Sequence, residues 1–247
     1  MNISPLFKDA LRLFYPPQCM GCGDTVSDEG ALCTSCWSDT DFLSGTVCHS
    51  CGVPLPRAEA GEVLDHLACD DCLTIARPWE SARAAVTYRG CGRRLVLMLK
   101  HGDRLDIAKP LGDWLARAAT PLMRPNTVVV PVPLHLRRLI RRKFNQSALL
   151  AARVAQFHGC GFEPDLLRRT RHTAPQDHRR FEDRFTNQQG AIEVRKTRAD
   201  RVRGKHVLLV DDVMASGATL SVAANALLAV GAGSISVAVL ARAVKDA

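Results

Sequence analysis

Aromatic residues are scarce in this chain. Phe, Trp and Tyr make up 5% of its 247 residues, so the sequence does not indicate the base-stacking surfaces of typical single-strand-binding proteins. The first residues also lack the features of a signal peptide, because charge interrupts their apolar positions and no small-residue cleavage site follows. We therefore expect a cytoplasmic protein whose cysteines are reduced thiols or metal ligands.

A membrane-spanning segment is the next class to consider. The longest uncharged run extends from Val213 to Ala241 and would be long enough to cross a bilayer. It contains Ser, Thr and Asn, however, and it is interrupted at Gly231. The run therefore predicts a buried helix followed by a buried strand, and no membrane insertion.

Charge is distributed unequally along the chain. Residues 1–78 carry four basic and eleven acidic groups, a net charge of −7, whereas residues 79–247 carry 29 basic and 14 acidic groups, a net charge of +15. The basic part favours anionic partners such as phosphates or nucleic acid. The boundary between these two parts also lies where the cysteine pairs end and the strand and helix patterns begin. We therefore predict a domain at 1–78 and a second domain at 79–247.

Eight of the ten cysteines lie within the first domain and form four C-x-x-C pairs. A zinc ion takes four tetrahedral thiolate or imidazole ligands, and each C-x-x-C knuckle supplies two of them. Four knuckles therefore predict two structural zinc ions in a double ribbon. The predicted ligands are Cys19, Cys22, Cys33, Cys36, Cys48, Cys51, Cys69 and Cys72.

The sequence leaves the pairing of the knuckles open. Sequential pairing closes the shorter loops, but an interleaved arrangement satisfies the same ligand count. Redox chemistry is disfavoured, because four redox pairs within 54 residues would be unusual. Four thiolates leave no open position for water, so the predicted zinc is structural, and the acidic module is expected to dock against the basic domain.

The second domain alternates between strand and helix patterns. Strands are predicted at 84–88, 127–133, 206–210 and 234–241, and a helix is predicted from Phe144 to Phe157. Two further helices are predicted around His101. A last helix is predicted to bury Leu220, Ala223, Ala224, Leu227 and Leu228. This alternation predicts an α/β fold with a parallel sheet.

The most informative segment is VLLVDDVMASGATL, residues 207–220. A buried strand leads into Asp211 and Asp212, and a loop of small residues then opens a helix. Small residues let the backbone wrap a phosphate, and the free N–H groups of the helix N-terminus point at it. The two carboxylates then suit the hydroxyls of an attached sugar or a Mg²⁺ ion, although a strand end with capping carboxylates would show the same pattern. The Gly-Lys-Ser/Thr signature of a P-loop is absent.

This segment resembles the phosphoribosyl pyrophosphate (PRPP) loop of type I phosphoribosyltransferases. The Asp pair, Gly217 and Thr219 match, whereas Ser216 replaces the usual Thr. The resemblance implies PRPP binding, with Mg²⁺, by a set of residues that comprises Asp211, Asp212, Ala215, Ser216, Gly217, Ala218 and Thr219.

The resemblance extends to nearly the whole chain when the four knuckles, residues 128–151 and residues 168–176 are included. The chain as a whole resembles the ComF family of competence-type proteins. This implies a double zinc ribbon joined to a parallel-sheet, phosphoribosyltransferase-like domain. It also implies a link to DNA uptake in natural competence, with single-stranded DNA and DNA-uptake proteins as partners.

Two basic clusters accompany these motifs. The first, Arg137 to Lys143, follows a Pro-rich strand end, and by position Pro133, Leu134, Arg137 and Arg138 are the candidates for contacts with pyrophosphate or another anion. The second flanks a polar segment, 171–190, that is predicted to be a mobile loop. Either cluster could instead be a solvated basic face or bind a DNA backbone.

Two functions remain open from the sequence. One is an enzyme that transfers ribose 5-phosphate from PRPP to a nitrogenous base, and the other is a PRPP-binding protein that acts with DNA. The acceptor base and the oligomeric state are not encoded in any pattern that we recognise. After the last predicted strand too little chain remains for a hood over a base, so residues 80–105 or the zinc module would have to supply one.

Overall fold

A five-stranded parallel sheet forms the centre of the second domain. The computed structural model describes residues 15–56, 67–101, 104–170 and 190–244. The strand order is β1-β7-β6-β2-β3, and a separate antiparallel pair is formed by β4 and β5. The strands are β1 (Ser81–Thr87), β2 (Val128–Pro131), β3 (Gly161–Phe162), β4 (Leu167–Arg169), β5 (Ile192–Val194), β6 (His206–Met214) and β7 (Ser234–Arg242).

Helices cover both faces of this sheet. Among the described residues they are α1 (Thr34–Ser38), α2 (Asp70–Thr74), α3 (Gly90–His101), α4 (Ala108–Ala119), α5 (Leu136–Arg142), α6 (Gln146–His158) and α7 (Ala218–Ala229). Three short 3₁₀ segments span Leu105–Ile107, Thr120–Leu122 and Lys196–Arg201. Helices α3, α4 and α6 pack on one face, and α7 packs on the other. The α/β parallel-sheet prediction is therefore confirmed.

Two helices differ in detail from the sequence pattern. The helical spacing of Ala148, Leu149, Ala152 and Ala155 predicted α6, but the helix buries Leu150, Ala151 and Val154 together with Ala155. In α7 the predicted stripe is buried except for Leu228, which is 41% exposed. Periodicity located both helices but did not fix their rotation, because small and apolar residues occur on more than one side of each.

The uncharged run at the carboxyl end is divided as predicted. It contains the end of β6, helix α7 and most of β7, and Gly231 follows α7 with φ of +90°. Within the described ranges, no helix combines the length and apolarity needed to cross a bilayer. The predicted loop at 171–190 lies outside the described residues except for Gly190.

The cysteine-rich module covers the free edge of the sheet. Strand β1 pairs with β7 on one side, and on its other side it exchanges backbone hydrogen bonds with the module: Leu43 N–H donates to Ala85 O at 3.0 Å, and Ala82 N–H donates to His49 O at 2.8 Å. An uncovered edge strand would present unpaired backbone groups to other chains. The module therefore supplies backbone partners for the outer edge of β1.

The two halves of the module lie on opposite faces of the sheet. Cys19 and Cys36 are buried with the residues of α3, α4 and α6, whereas Cys48 and Cys51 are buried with the residues of α7. This arrangement brings the second half of the module to the face where α7 begins.

Candidate functional site

The site predicted from the sequence lies where the strand order reverses. The chain leaves β2 through α6 toward β3, and it leaves β6 through α7 toward β7 on the opposite side. In open α/β sheets, ligands bind outside the carboxyl ends of strands at such a reversal. Strand β6 continues four residues beyond its last pair with β2, Pro131 with Val210, so Asp211 and Asp212 extend past the end of β2.

Asp211 lines a cavity of about 150 Å³ between the end of β6 and the start of α7. Its Oδ1 accepts hydrogen bonds from Ser147 Oγ at 2.8 Å and from the Asp212 N–H at 2.9 Å. Burial and the neighbouring Asp212 raise the pKa of Asp211 to about 7. Near neutral pH this carboxyl group is therefore poised between its neutral and ionised forms.

Asp212 is buried and has different partners. Its Oδ1 lies 3.2 Å from Lys100 Nζ, and its Oδ2 accepts a hydrogen bond from Gln146 Nε2 at 2.6 Å. Lys100 lies near the end of α3, so the ion pair connects that helix to β6. The sequence treated the two carboxylates alike, whereas the structure places Asp211 at the cavity and Asp212 against Lys100.

The amino end of α6 holds both carboxylates in place. Asn145 caps this helix, because its side-chain oxygen accepts from Ser147 N–H at 3.1 Å, and its amide donates to Val132 O at 3.0 Å. Gln146 and Ser147 then bind one carboxylate each. These roles of Gln146 and Ser147 were not predicted from the sequence. The available signal was an Asn in front of an apolar helix, which is a common N-cap pattern.

The phosphate loop, residues 215–219, connects β6 to α7. Gly217 has φ of +81° and stands at the N-cap, while Ser216 Oγ accepts from the Ala218 N–H at 3.4 Å. All five residues of the loop line the 150 Å³ cavity together with Asp211. The first N–H groups of a helix have no partner within it, so this cavity suits an anion.

Two arginines donate hydrogen bonds to backbone carbonyls of the phosphate loop. Arg77 Nη1 donates to Ser216 O at 2.7 Å, and its guanidinium lies over the ring of Trp79. A Cβ added at Gly217 would come within 2.9 Å of Arg77 Nη1. Arg242 donates to Met214 O at 3.1 Å and to Ala215 O at 2.9 Å. Neither contact was predicted, since nothing in the local sequence links these arginines to the loop.

The candidates for pyrophosphate contact follow β2. Pro133 is buried and Leu134 is half-buried, and Arg137 and Arg138 belong to α5. Most of the basic segment is thus helical, from Leu136 to Arg142. The helix follows β2, next to β6 in the sheet, so its backbone starts at the same sheet edge as the phosphate loop.

The eight cysteines form two four-sulfur clusters with sequential pairing. Cys19, Cys22, Cys33 and Cys36 form the first, and Cys48, Cys51, Cys69 and Cys72 form the second; within each, all sulfurs lie within 4.8 Å of one another. The Cys22–Cys33 and Cys51–Cys69 sulfur distances are 3.5 and 3.6 Å. Tetrahedral zinc with Zn–S bonds of about 2.3 Å requires sulfurs roughly 3.8 Å apart. The donor sets therefore fit zinc, and the interleaved alternative is excluded.

The thiols within each cluster oppose one another's ionisation. A hydrogen bond from Ser35 and others from the backbone lower the pKa of Cys33 to about 6, whereas burial and the neighbouring thiols raise the pKa of Cys36. In the second cluster, a hydrogen bond from Cys51 lowers the pKa of Cys48 to about 4, and the pKa of Cys51 is raised in turn. Four thiolates at this spacing require a cation among them.

Space around the first cluster is tight. A Cβ at Gly21 would meet Cys36 Sγ at 2.8 Å and Cys91 Sγ at 2.9 Å, so only glycine fits this knuckle. Cys91 is fully buried beside the cluster. Cys160 is half-buried elsewhere and donates weakly to Ala155 O.

Each cluster receives one arginine from outside the cysteine-rich module. Arg94 Nη2 lies 3.6 Å from Cys36 Sγ, and Arg242 Nη2 lies 3.6 Å from Cys51 Sγ. Four thiolates around Zn²⁺ carry a net charge of −2, so a nearby guanidinium offsets part of it. The expectation that the acidic module docks against the basic domain is thus met at two defined contacts.

Comparison with known proteins agrees with both parts of this structure. Residues 10–79 match the model of the double zinc ribbon domain, and residues 149–246 match the model of the phosphoribosyl transferase domain. The chain is 32% identical to DNA utilization protein YhgH of Escherichia coli (strain K12) over 217 residues, which covers 85% of this chain and 90% of that protein.

Two competence proteins are also similar. Competence protein F of Haemophilus influenzae is 26% identical over 236 residues, covering 93% of this chain and 99% of that protein. Competence protein ComFC of Bacillus subtilis is 26% identical over 214 residues, covering 81% and 79%.

We expect two zinc ions per chain, since each cluster supplies four sulfurs. Cys33→Ser should halve the zinc content measured by metal analysis and unfold the first half of the ribbon, because metal binding stabilises such modules. Cys160→Ser, outside both clusters, should leave two ions bound. Zinc near zero in a folded, reduced protein purified without chelators would contradict this assignment.

The raised pKa of Asp211 predicts an effect on stability. A carboxyl group whose pKa is higher in the folded protein than in the unfolded chain costs stability as pH rises toward that pKa. Asp211→Asn should therefore gain stability relative to the parent as pH rises from about 5 to about 7.5, as measured by urea unfolding at each pH.

The matched control is Asp106→Asn. A hydrogen bond from Arg104 lowers the pKa of Asp106, and the group is exposed, so this variant should show little change between pH 5 and pH 7.5. An Asp211→Asn variant whose stability relative to the parent does not depend on pH would show that the carboxyl group titrates normally.

Proposed function

Because this chain belongs to the ComF family of competence-type proteins, we propose that it binds PRPP at the phosphate loop and acts in DNA handling. The observation that carries the proposal is the phosphate loop itself, with its five residues and Asp211 around one cavity at the strand reversal. The two zinc ions have a structural role in this proposal.

The parts of PRPP match different parts of the site. The 5-phosphate suits the N–H groups at the start of α7, and the ribose hydroxyls suit Asp211, whose carboxylate can accept from them. Asp212 keeps Lys100 and Gln146 as partners and fixes the strand end. Mg²⁺ carried by the pyrophosphate would place positive charge near Asp211 and favour its ionised form.

The pyrophosphate would extend toward the end of β2. Pro133 and Leu134 lie there, and Arg137 and Arg138 follow in α5. Arginine and lysine near a departing pyrophosphate offset its charge. The direction is set by the order of the strands, since β2 lies beside β6 on the side away from β7.

A second candidate function is Mg²⁺-dependent transfer of the phosphoribosyl group to a nitrogenous base. It is favoured by a second cavity that adjoins the phosphate loop at Ala215 and Ser216. In such a transfer a ring nitrogen bonds to C1 of the ribose, and the C1–O bond to pyrophosphate breaks. Pyrophosphate leaves with that electron pair, and the proton of the nitrogen passes to solvent.

PRPP binding can be separated from folding at Thr219, in the first turn of α7. Thr219→Glu adds a negative charge where the phosphate would bind, yet an acidic residue near a helix N-terminus stabilises the helix by about 0.3–1 kcal/mol. We expect calorimetry with Mg²⁺ to show PRPP affinity at least roughly a hundredfold lower, from loss of more than about 2.7 kcal/mol, with no loss in thermal stability.

The neutral control is Thr219→Gln, which adds similar bulk without charge and should bind PRPP better than Thr219→Glu. Asp211→Asn should weaken binding about tenfold or more, because hydrogen bonds to charged groups contribute roughly 1.5–3 kcal/mol. Equal PRPP affinity in the parent and Thr219→Glu would refute binding at this loop.

DNA handling is supported by the printed names of the relatives and by the basic segment 137–143. This segment has five cations, and the same helix exposes Leu136 and Ile140 at 63% and 71%. Cations beside few aromatic residues favour contact with the phosphate backbone over recognition of bases. Binding is therefore expected to be independent of sequence.

Replacing Arg141, Arg142 and Lys143 by Gln should weaken binding to single- or double-stranded DNA and flatten its salt dependence. Each lost phosphate contact lowers the slope of log K against log salt by about 0.7 for single strands and about 0.9 for duplex. Replacing the exposed Arg195, Lys196 and Lys205 by Gln is the control for net charge. Equal slopes in the two triple variants would place DNA binding elsewhere.

A further inference from the structure

The guanidinium of Arg242 spans the second cysteine cluster and the phosphate loop. Its Nε donates to Cys51 O at 3.0 Å, and its Nη2 lies 3.6 Å from Cys51 Sγ. Its Nη1 donates to Met214 O at 3.1 Å and to Ala215 O at 2.9 Å. A planar guanidinium holds such partners in fixed relative positions. One side chain therefore sets the position of the loop backbone relative to a predicted zinc ligand.

Arg77 and Trp79 make a parallel connection. Arg77 donates to Ser216 O at 2.7 Å, and it also forms a side-chain hydrogen bond with Cys72. Trp79, under the same guanidinium, donates to Ser50 O at 2.7 Å within a C-x-x-C turn. The glycine of the loop lies against both side chains, since an added Cβ would meet Arg77 at 2.9 Å and Trp79 at 3.3 Å. Both knuckles of the second cluster are thus joined to the loop.

The first cluster has a corresponding arginine with different partners. Arg94 Nη2 lies 3.6 Å from Cys36 Sγ and 3.5 Å from Asp39 Oδ2, and both of these partners belong to the module. This cluster is buried with α3, α4 and α6, on the face of the sheet opposite α7. It provides an internal comparison, because a general effect of zinc on folding would involve both clusters.

The geometry of the second cluster depends on its metal. Four thiolates around one cation hold two knuckles in a single arrangement, and that arrangement is not maintained when the cation is lost. The carbonyl of Cys51 and the thiol of Cys72 would then no longer fix the two guanidinium groups. The loop has little side-chain packing of its own, so its N–H groups would lose their common orientation toward the phosphate cavity.

We propose that zinc at the second cluster controls ligand binding at the phosphate loop, with Arg242 as the positioning residue that couples the two sites. Such coupling is reciprocal and commonly amounts to about 5- to 150-fold in affinity, so a ligand at the loop should also retain zinc at this cluster. The inference rests on the proposed function only for the identity of the ligand, PRPP. The order of the loop can be measured without any ligand.

Cys33 and Cys69 offer matched variants of the two clusters. Each is half-buried, opens the second knuckle of its cluster and stands at the N-cap of a short helix. Cys33→Ser and Cys69→Ser should each lower the zinc content from two ions to one. An effect that is specific to the second cluster is then the difference between these variants.

Hydrogen exchange measures the order of the loop in the absence of ligand. The Ser221 N–H donates to Gly217 O at 2.8 Å, so its exchange reports on the loop. Cys69→Ser should accelerate this exchange at least about fivefold, whereas Cys33→Ser should leave it unchanged. The Val132 N–H, which donates to a carbonyl of β6, should stay protected in both variants. Equal exchange at Ser221 in the two variants would overturn the proposal.

A second variant tests the coupling while every zinc ligand is kept. Arg242→Lys retains the positive charge but replaces a planar fork of donors by a point charge. In the parent, PRPP with Mg²⁺ should slow the release of one of the two zinc ions to a colorimetric chelator about fivefold or more. Arg242→Lys should remove most of this effect, and Arg94→Lys, at the first cluster, should retain it.

The zinc-release measurement has its own control in Thr219→Glu, which blocks PRPP at the loop and should show no slowing. Release that PRPP does not slow in the parent, or slowing that persists in Arg242→Lys or in Thr219→Glu, would overturn the proposal. Failure of PRPP to bind the parent would instead count against the proposed function, and the exchange at Ser221 would still decide whether the cluster orders the loop.

Discussion

The buried guanidinium of Arg242 connects the two parts of the molecule. It donates to Cys51 O at 3.0 Å in the second cysteine cluster and to the carbonyls of Met214 and Ala215 at the start of the phosphate loop. Arg242 is 5% exposed, and a charge buried to this extent is tolerated only when its donors are satisfied. The position of the loop therefore depends on an intact cysteine cluster.

A second connection lies on the same face of the sheet. Arg77 donates to Ser216 O, and Trp79, under the Arg77 guanidinium, donates to Ser50 O at 2.7 Å. Hydrogen bonds from residues at the end of the ribbon thus hold the phosphate loop in position. A loop of small residues has little side-chain packing of its own, so these contacts supply the order that an anion site requires.

Local pattern predicted the parts of this structure that depend on local chemistry. The knuckles follow from C-x-x-C spacing, the parallel sheet follows from strand and helix alternation, and the phosphate loop follows from small residues after an acidic strand end. The contacts between distant segments did not follow, because Lys100, Arg77 and Arg242 occur in segments with no distinguishing pattern. Thr219→Glu probes the predictable part.

The pairing of the cysteines shows the same limit. Spacing defined four equivalent knuckles, and chain entropy favoured the shorter loops, yet only the fold placed the two clusters on opposite faces of the sheet. The difference between Asp211 and Asp212 also arises from the fold. Consecutive carboxylates look equivalent in the sequence, but the ends of α3 and α6 provide Lys100 and Gln146 for one and Ser147 for the other.

Charge changes in order along the carboxyl edge of the sheet. At β7 the ribbon contributes Asp70 and Asp71, at β6 the phosphate loop offers N–H groups, and beyond β2 helix α5 contains four arginines. Such differences act over a Debye length of about 8 Å at physiological salt. Phosphate groups are therefore favoured at the β6 and β2 side of this edge and disfavoured beside the ribbon carboxylates.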